Sequence, residues 1–470
     1  MTPRRTKNLR MPVSYDPLVQ VHPHAAGIDV HASAHWVAVP PGSAPPPATD
    51  HPPNLPPHIR KFGTCTADLE MLADWLMACN ITTIAMESTG IYWIPLFELL
   101  ERRGFEVKLV DPRRTKHVPG RPKSDVLDCQ WIQRLHSYGL LEASFRPADD
   151  VVVLRSYVRQ RLMLISYAGQ HIQHMQKALE QMNVKLAEVV SDVSGVTGMA
   201  IIKAILRGER DPRALAGLRD ERCKSSQAEI ARALEGNWRE DHLFELQQAV
   251  SLFEAYQTHL RACDRRLEAY LKTFADQSGG KKLPPKASKR RTRSNAPRFD
   301  SRTLLHRFCG VDLTVIEGIE ASTALVILSE IGGDMSKWPN EKHFVSWLNL
   351  CPIKDESNGK NRKRRRRRRS NRAARAFRLA AQACHHAKTA LGAFYRRIQA
   401  RCGGSKAVLA TARKIAQRVY RLLKYGEDYV RLDMAAYEEA YRARTLKGLA
   451  RKAEQLGYRL VPQVETVAVS

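Results

Sequence analysis

The sequence lacks the cysteine pairs and long apolar runs that mark secreted and membrane proteins. Its nine cysteines are odd in number and never form a Cys-x-x-Cys pair, so neither a disulfide framework nor a cysteine zinc site is indicated. No apolar run approaches the roughly 20 residues that span a bilayer. The basic N-terminus is not followed by the apolar stretch of a signal peptide. We therefore expect a cytoplasmic protein without a membrane role.

Acidic residues are scarce relative to basic ones. The 470 residues include 76 Lys and Arg against 48 Asp and Glu, which gives a formal net charge of +28. Between Ser357 and Gly426 there is no Asp or Glu, whereas the same stretch carries 22 Lys or Arg. Such self-repulsion opposes compaction unless a polyanion neutralises it, and the usual polyanion is nucleic acid.

The pattern of apolar residues predicts an α/β region followed by an all-α remainder. Residues 22–148 alternate strand-like and helical segments, which argues for a layered domain with parallel strand pairing. A polar linker rich in Gly, Pro, Lys and Arg occupies residues 277–304. Residues 305–435 form a mainly helical domain that starts with a helix–hairpin–helix-like step around Gly318, and two basic helices are predicted over 371–400 and 405–425. Residues 436–470 are expected to be a peripheral helix and tail.

The middle region, residues 149–276, contains two long helical patterns. Apolar residues from Ile165 to Leu186 and from Leu246 to Tyr270 alternate steps of three and four over about three heptads each. This pattern fits two alternatives: a coiled coil formed with a second subunit, or two helices that pack against each other within one chain. The two interpretations merge if the helices form a hairpin that also pairs with another subunit.

Four carboxylates of the α/β region form a candidate metal set. Asp29 lies in an apolar strand, where a buried charge is costly without a cation, and Glu87 ends the next buried strand. Asp125 and Asp128 lie three apart at the start of a helix and so project from one face. Each alone is more simply a cap or a first-turn acidic residue. Together they suit magnesium or manganese, which prefer carboxylate oxygens, at a site for phosphoryl transfer.

A serine and a basic run follow in the helical domain. Ser357 precedes Asn358-Gly359, a turn-prone step that can present its hydroxyl. A serine in a turn is usually only a turn former. The predicted nucleic-acid contacts are basic residues of this loop and the next helix: Lys360, Arg362, Lys363, Arg364, Arg365, Arg366, Arg367, Arg368, Arg369, Arg372 and Arg375. The alternative for the run is a solvated arm.

Taken together, these segments resemble the insertion-sequence one-ten family of transposases, over roughly residues 22–435. The motifs that carry the resemblance are Gly27-Ile28-Asp29-Val30-His31, Met86-Glu87-Ser88-Thr89-Gly90, Ser124-Asp125-Val126-Leu127-Asp128, Leu350-Cys351-Pro352, Ser357 with Gly359-Lys360, and Asn371-Arg372-Ala373-Ala374. The chain departs from the family in Asn358 after the serine, in a proline-rich loop after the first strand, and in its long arginine run.

The resemblance implies an RNase H-like (RuvC-like) domain whose DEDD metal set falls on Asp29, Glu87, Asp125 and Asp128. It further implies a coiled-coil region and a transposase domain whose serine nucleophile falls on Ser357. The expected substrates are the double-stranded DNA of element ends and target, in a prokaryotic, nucleoid-associated setting. The expected partners are a structured guide RNA and further copies of the chain, as a dimer or tetramer joined through the coiled coil.

Three hypotheses follow for the activity. The leading one is a serine- and metal-dependent recombinase, whose site could assemble within one chain or between subunits, the heptads favouring the second. The runner-up is a hydrolytic RuvC-like structure-specific nuclease, in which the metals activate water and Ser357 is a bystander. The third is a nucleic-acid binder without catalysis.

Overall fold

The chain folds as two compact units, Met1–Arg146 and Pro147–Ser470, in a computed structural model. The structure describes residues 19–46, 52–112, 124–285, 295–351, 356–357, 360–361 and 371–461. The division between the units falls two residues before the domain boundary expected after position 148. Among the described residues, no helix combines the length and apolarity needed to cross a membrane.

The first unit is a five-stranded mixed sheet with three helices in its described part. The elements are β1 (Ala25–Val30), β2 (His35–Ala38), β3 (Ile59–Phe62), α1 (Thr66–Ala78), β4 (Thr83–Glu87), α2 (Trp93–Arg102), β5 (Glu106–Val110) and α3 (Asp125–Ser137). The strand order is β3-β2-β1-β4-β5. β1, β4 and β5 run parallel, as expected for strands joined through helices, whereas β2 pairs antiparallel with both β1 and β3.

The two faces of this sheet are covered by different helices. Successive strand residues point to opposite faces, so Ile28 and Met86 share one face and Gly27 and Ala85 share the other. Ile28 and Met86 are fully buried in the core that includes residues of α1 and α2. Ala85 packs instead with Ile132 of α3. The face that carries Gly27 and Ala85 is therefore the α3 face of the sheet.

Gly27 allows α3 to approach β1 closely. A Cβ atom at this position would lie 2.2 Å from the backbone nitrogen of Gln133 and 2.5 Å from the carbonyl oxygen of Cys129. Neither contact can be relieved by a side-chain rotation, because both atoms belong to the helix backbone. Any larger residue must therefore push α3 away from the strand.

We expect Gly27→Ala to destabilise the first unit by about 1–3 kcal/mol, the usual cost of overpacking. The measurement is urea unfolding of the full chain. Gly169→Ala is the matched control, since a Cβ there meets nothing within 4 Å, and its helical site predicts a gain of roughly 0.5–1 kcal/mol. Equal unfolding midpoints for Gly27→Ala and the wild type would contradict the close approach.

The described part of the second unit is mainly helical. Its first part contains α4 (Asp149–Gln181), α5 (Leu186–Val189), α6 (Val196–Leu206), α7 (Pro212–Gly217), α8 (Gln227–Ala233) and α9 (Glu240–Leu271). Its second part contains α10 (Ser301–Cys309), α11 (Ala321–Ile331), α12 (Glu341–Trp347), β6 (Glu356–Ser357), β7 (Lys360–Asn361), α13 (Arg372–Ala383), α14 (Ala390–Cys402), α15 (Gly404–Tyr425) and α16 (Glu427–Gln455).

The two predicted heptad helices, α4 and α9, pack against each other within one chain as an antiparallel hairpin. The rings of Tyr157 and Tyr270 lie 5.7 Å apart near the open end of the hairpin. Further along, Arg161 donates to Asp264 from Nε at 2.5 Å, and both side chains are buried. The apolar stripes of α4 and α9 thus pack against each other within one chain, which was one of the two alternatives. Pairing of these helices with a second subunit stays a prediction.

Part of the expected linker is ordered against this hairpin. The backbone N–H of Arg298 donates to Asp264 at 3.1 Å, and Asn295 accepts from Arg161 through its carbonyl oxygen. α10 begins at Ser301, inside the predicted linker range of 277–304. Residues 286–294, the most basic part of that range, lie outside the described residues.

The predicted single helix over residues 371–400 is wrong, because the structure has two helices there. α13 ends at Ala383, a 3₁₀ turn follows, and Thr389 starts α14 by accepting a hydrogen bond from the backbone N–H of Gly392. The polar Thr389 cap is the sequence signal of this second start. α16 likewise begins at Glu427, before the tail boundary expected at 436.

The predicted helix–hairpin–helix-like step lies between α10 and α11. Gly318 has a φ of +84°, and a Cβ there would lie 2.4 Å from the carbonyl oxygen of Ala380 in α13. Glycine is therefore required for packing against α13. A phosphate-binding role for this step stays a prediction.

Candidate metal centre

Asp29 lies near the end of β1 on the α3 face of the sheet. It is two residues beyond Gly27 on the same strand, so its side chain points toward the same helix. The carboxylate is buried, with 6% of the residue exposed. A buried carboxylate among strands requires a compensating positive group or hydrogen-bond donor.

Glu87 ends β4 beside Asp29. The register pairs Ile28 with Met86, so Asp29 and Glu87 follow as the next neighbours at the carboxyl ends of two parallel strands. Glu87 is also on the α3 face, two residues after Ala85, and is 6% exposed. Ser88 then ties the end of β4 to β5, because its backbone N–H and its hydroxyl both donate to the carbonyl oxygen of Val110. Two buried acidic residues therefore lie at the carboxyl ends of adjacent parallel strands.

Asp125 and Asp128 occupy the first turn of α3, as predicted. Ser124 caps the helix by accepting a hydrogen bond from the backbone N–H of Leu127 at 3.3 Å. The N-terminal end of a helix is electropositive and favours carboxylates in its first turn. Asp125 is exposed and Asp128 is half-buried. The Ser124 cap and the close contact of α3 with Gly27 together fix the position of the backbone that carries Asp125 and Asp128.

The structure brings Asp29 and Asp125 together around His31. His31 Nε2 lies 3.0 Å from Asp29 Oδ2 and 3.6 Å from Asp125 Oδ1. The three ligand atoms, one from each residue, all lie within 4.8 Å of one another. Glu87 and Asp128 are not members of this cluster. Of the four predicted carboxylates, two therefore converge directly, and the other two flank them along β4 and α3.

His31 is the site residue that sequence reasoning missed. It lies within the motif that resembles the transposase family, but its role was not predicted. Strand periodicity carried a signal, because positions 29 and 31 are two apart and share a face of an extended chain. The backbone N–H of His31 donates to the carbonyl oxygen of Ala34 at 3.2 Å, which closes the turn between β1 and β2.

Two neighbouring groups are held in their neutral forms. Burial, with a smaller contribution from His31, lowers the pKa of His35 to about 4. Burial raises the pKa of the Cys129 thiol to about 12, with Asp29 and Asp125 contributing in the same direction. A protonated thiol is a poor metal ligand. Cys129 is therefore not counted among the candidate ligands, and it packs in the core with Ala38 and Ile59.

The donor set fits a divalent cation. Carboxylate oxygens are the ligands that magnesium and manganese prefer, and an imidazole nitrogen is a common ligand of later divalent metals. Adjacent donors on an octahedral ion at about 2.1 Å lie about 3 Å apart. The separation from His31 to Asp29 is 3.0 Å and the separation to Asp125 is 3.6 Å. The arrangement therefore suits cation binding without a large movement of the backbone.

The predicted serine lies on a short hairpin of the second unit. Ser357 in β6 pairs with Lys360 in β7, antiparallel, and the Asn358-Gly359 step between them lies outside the described residues. In sequence terms, Asn-Gly is a common step in two-residue hairpins.

The predicted nucleic-acid contacts divide into two groups. Arg362, Lys363 and the six arginines from Arg364 to Arg369 lie outside the described residues. Arg372 and Arg375 lie one turn apart on α13 and are exposed, whereas Ala373, Ala374 and Phe377 of the same helix are buried. α13 thus presents a basic edge on the side opposite its packed face.

Comparison with known proteins identifies the family. A DEDD transposase model of the IS110 family matches residues 26–184, and a model described as transposase IS116/IS110/IS902 family matches residues 311–396. The first match contains the whole candidate metal centre and all of α4, and the second contains Ser357. No curated protein matches the chain. The two family matches together span just over half of the chain, and it belongs to the IS110 family of transposases, enzymes that act on DNA.

Proposed function

We propose that the chain cleaves and rejoins the DNA of a mobile element with a divalent cation at Asp29, Glu87, Asp125 and Asp128 and with Ser357 as nucleophile. The observation that carries the proposal is the convergence of Asp29 and Asp125 at one edge of the sheet, with Glu87 on the adjacent strand. The strand order β3-β2-β1-β4-β5, with α3 packed on β1, supports an RNase H-like fold for this unit.

A bound cation would polarise the phosphate oxygens and neutralise the charge that develops on phosphorus. The residues of the chain do the rest. Asp29 and Glu87 are positioned by the sheet, and Asp125 and Asp128 by the capped first turn of α3. Rigid elements of this kind hold ligands more accurately than loops do.

Ser357 would act by nucleophilic catalysis. Its Oγ–P bond forms as the bond between phosphorus and a deoxyribose oxygen breaks, and the departing oxygen takes up the proton that the serine loses. The second transesterification reverses these roles with a different DNA hydroxyl. The energy of the cleaved bond is kept in the phosphoserine, so rejoining needs no nucleotide cofactor.

Denaturing electrophoresis of the full chain with element-end DNA and Mg²⁺ tests this mechanism. The expected result is a covalent protein–DNA adduct whose peptide, identified by mass spectrometry, contains phosphoserine at position 357. Cleavage without an adduct would overturn the serine mechanism and favour hydrolysis. An adduct on a different residue would support covalent catalysis but would contradict the assignment of Ser357 as the nucleophile.

Residues Arg362 to Arg369 are proposed to contact nucleic-acid phosphates. Neutralising two of these arginines is expected to reduce the slope of log affinity against log salt by roughly 1.4–1.8, because each phosphate contact contributes about 0.7–0.9. Filter binding at several salt concentrations measures the slope. Neutralising Arg442 and Arg451, which are exposed on α16, is the charge-matched control. Equal slopes for both double variants would leave residues 362–369 as a solvated arm.

A structured guide RNA and assembly of several copies complete the proposal. The family resemblance supports both, and the acid-free stretch from 357 to 426 supplies the charge that RNA binding requires. Purification of the chain from cells that carry its element, followed by sequencing of the bound RNA, tests the first. Light scattering of that complex against the RNA-free chain tests the second.

A further inference from the structure

We propose that His31 is a ligand of the catalytic cation, which makes this centre a mixed oxygen and nitrogen site that prefers Mn²⁺ and Co²⁺ to Mg²⁺. The proposal rests on the proposed function in one respect, that Asp29 and Asp125 hold the ion. It adds a fifth residue to the four predicted carboxylates, and it specifies which ions the centre selects.

The position of His31 is built into the fold. Residues 29 and 31 share one face of the extended chain at the end of β1, and the His31–Ala34 backbone hydrogen bond fixes the residue at the start of the β1–β2 turn. Asp125 reaches the same point from the first turn of α3. The imidazole therefore lies between a buried carboxylate and an exposed one, with 41% of its side chain exposed to solvent.

The geometry of one ring nitrogen supports ligation. Nε2 is the atom nearest to both carboxylates, at 3.0 Å from Asp29 and 3.6 Å from Asp125. Adjacent donors on one octahedral ion lie about 3 Å apart. The contact of Nε2 with Asp29 has this length, which is also that of a hydrogen bond, and the contact with Asp125 is 0.6 Å longer. A histidine that only positioned Asp29 would need one short contact, whereas this ring nitrogen faces two acidic groups at once.

The ligand type predicts the ion preference. Mg²⁺ favours sites made of oxygen and water, whereas imidazole raises the relative affinity for later divalent metals in the order Mn²⁺, then Co²⁺. The centre should consequently bind Mn²⁺ and Co²⁺ more tightly than a site of four carboxylates would. Loss of the nitrogen should remove this preference without removing the carboxylates that bind Mg²⁺.

Direct ion binding tests the proposal without relying on DNA cleavage. Mn²⁺ is titrated into the full chain and its free concentration is followed by electron paramagnetic resonance, and Co²⁺ is added separately to record its visible spectrum. We expect His31→Ala to weaken Mn²⁺ binding by about tenfold or more, since loss of even an outer-shell partner costs roughly 10–100-fold. The readout that identifies a ligand is the Co²⁺ spectrum, whose bands should shift toward those of an all-oxygen site. His31→Glu, which supplies a carboxylate of similar reach, should restore Mn²⁺ binding but not the preference for Co²⁺.

Two controls separate the possible failures. His24→Ala removes an exposed histidine before the opposite end of β1 and should leave ion binding unchanged. Asp29→Asn should abolish binding of every ion, and if it does not, the carboxylate centre itself is wrong. If Asp29→Asn abolishes binding while His31→Ala keeps the wild-type Mn²⁺ affinity and Co²⁺ spectrum, only the assignment of His31 is overturned.

Discussion

Replacing Asp29 with asparagine is expected to reduce DNA cleavage by about 10³-fold or more and to leave the fold at least as stable as that of the wild type. A metal centre contributes several kcal/mol of transition-state stabilisation, and each 1.36 kcal/mol corresponds to about a factor of ten. Asp29 is buried, neighbours Glu87 across the sheet and is one of the two carboxylates that converge on His31. Asparagine keeps its shape but lacks the charge that holds a cation.

The stability measurement distinguishes a catalytic aspartate from a structural one. Burying the Asp29 carboxylate raises the free energy of the folded state when no cation is present, whereas the amide oxygen of asparagine can still accept a hydrogen bond from His31. The asparagine variant should therefore unfold at the same temperature as the wild type or at a higher one, in the presence of a chelator. A structural role would produce the opposite result, a lower unfolding temperature with residual cleavage in proportion to the folded fraction.

The control for this experiment is Glu98→Gln, which removes an exposed carboxylate from α2 in the same unit. Its cleavage rate and unfolding temperature should match those of the wild type. Wild-type cleavage by Asp29→Asn would remove the carboxylate from the mechanism. A loss as large in Glu98→Gln would indicate a general effect of charge on DNA binding.

Local patterns predicted the first unit well. The start of α3 at Asp125 and the end of β4 at Glu87 follow directly from an apolar run and from first-turn acidic residues. The parallel pairing of β1 with β4 was also expected from the order of strands and helices. The convergence of Asp29 with Asp125 depends in addition on the contact between α3 and Gly27, which no local pattern encodes.

What the sequence could not predict depends on contacts between distant residues. Whether the heptads of α4 would pair within one chain was open, because both alternatives bury the same apolar stripe. The Arg161–Asp264 ion pair, 103 positions apart, shows the two helices joined in cis. The break between α13 and α14 was missed because no Gly or Pro lies in residues 384–389, and only the cap at Thr389 marks the second start.

Ser357→Ala is the variant that separates transposition through a phosphoserine from hydrolysis. We expect it to lose DNA cleavage by roughly four orders of magnitude or more, because removing a covalent nucleophile leaves only the contribution of binding and electrostatics. Binding of element-end DNA should be unchanged, since alanine removes one hydroxyl and no charge. The two measurements are the adduct yield on a denaturing gel and the dissociation constant of the same DNA.

The hydrolytic alternative predicts a different pattern for the same protein. If the cation activates water, Ser357→Ala keeps the wild-type cleavage rate, and neither protein forms an adduct. Ser405→Ala, an exposed serine on α15 in the same acid-free stretch, is the matched control and should retain both cleavage and adduct. Combining Ser357→Ala with Asp29→Asn adds a further constraint: when a serine and a cation serve one chemical step, the double variant should be about as slow as the slower single variant. A double variant whose loss equals the product of the single losses would instead assign the two groups to separate steps.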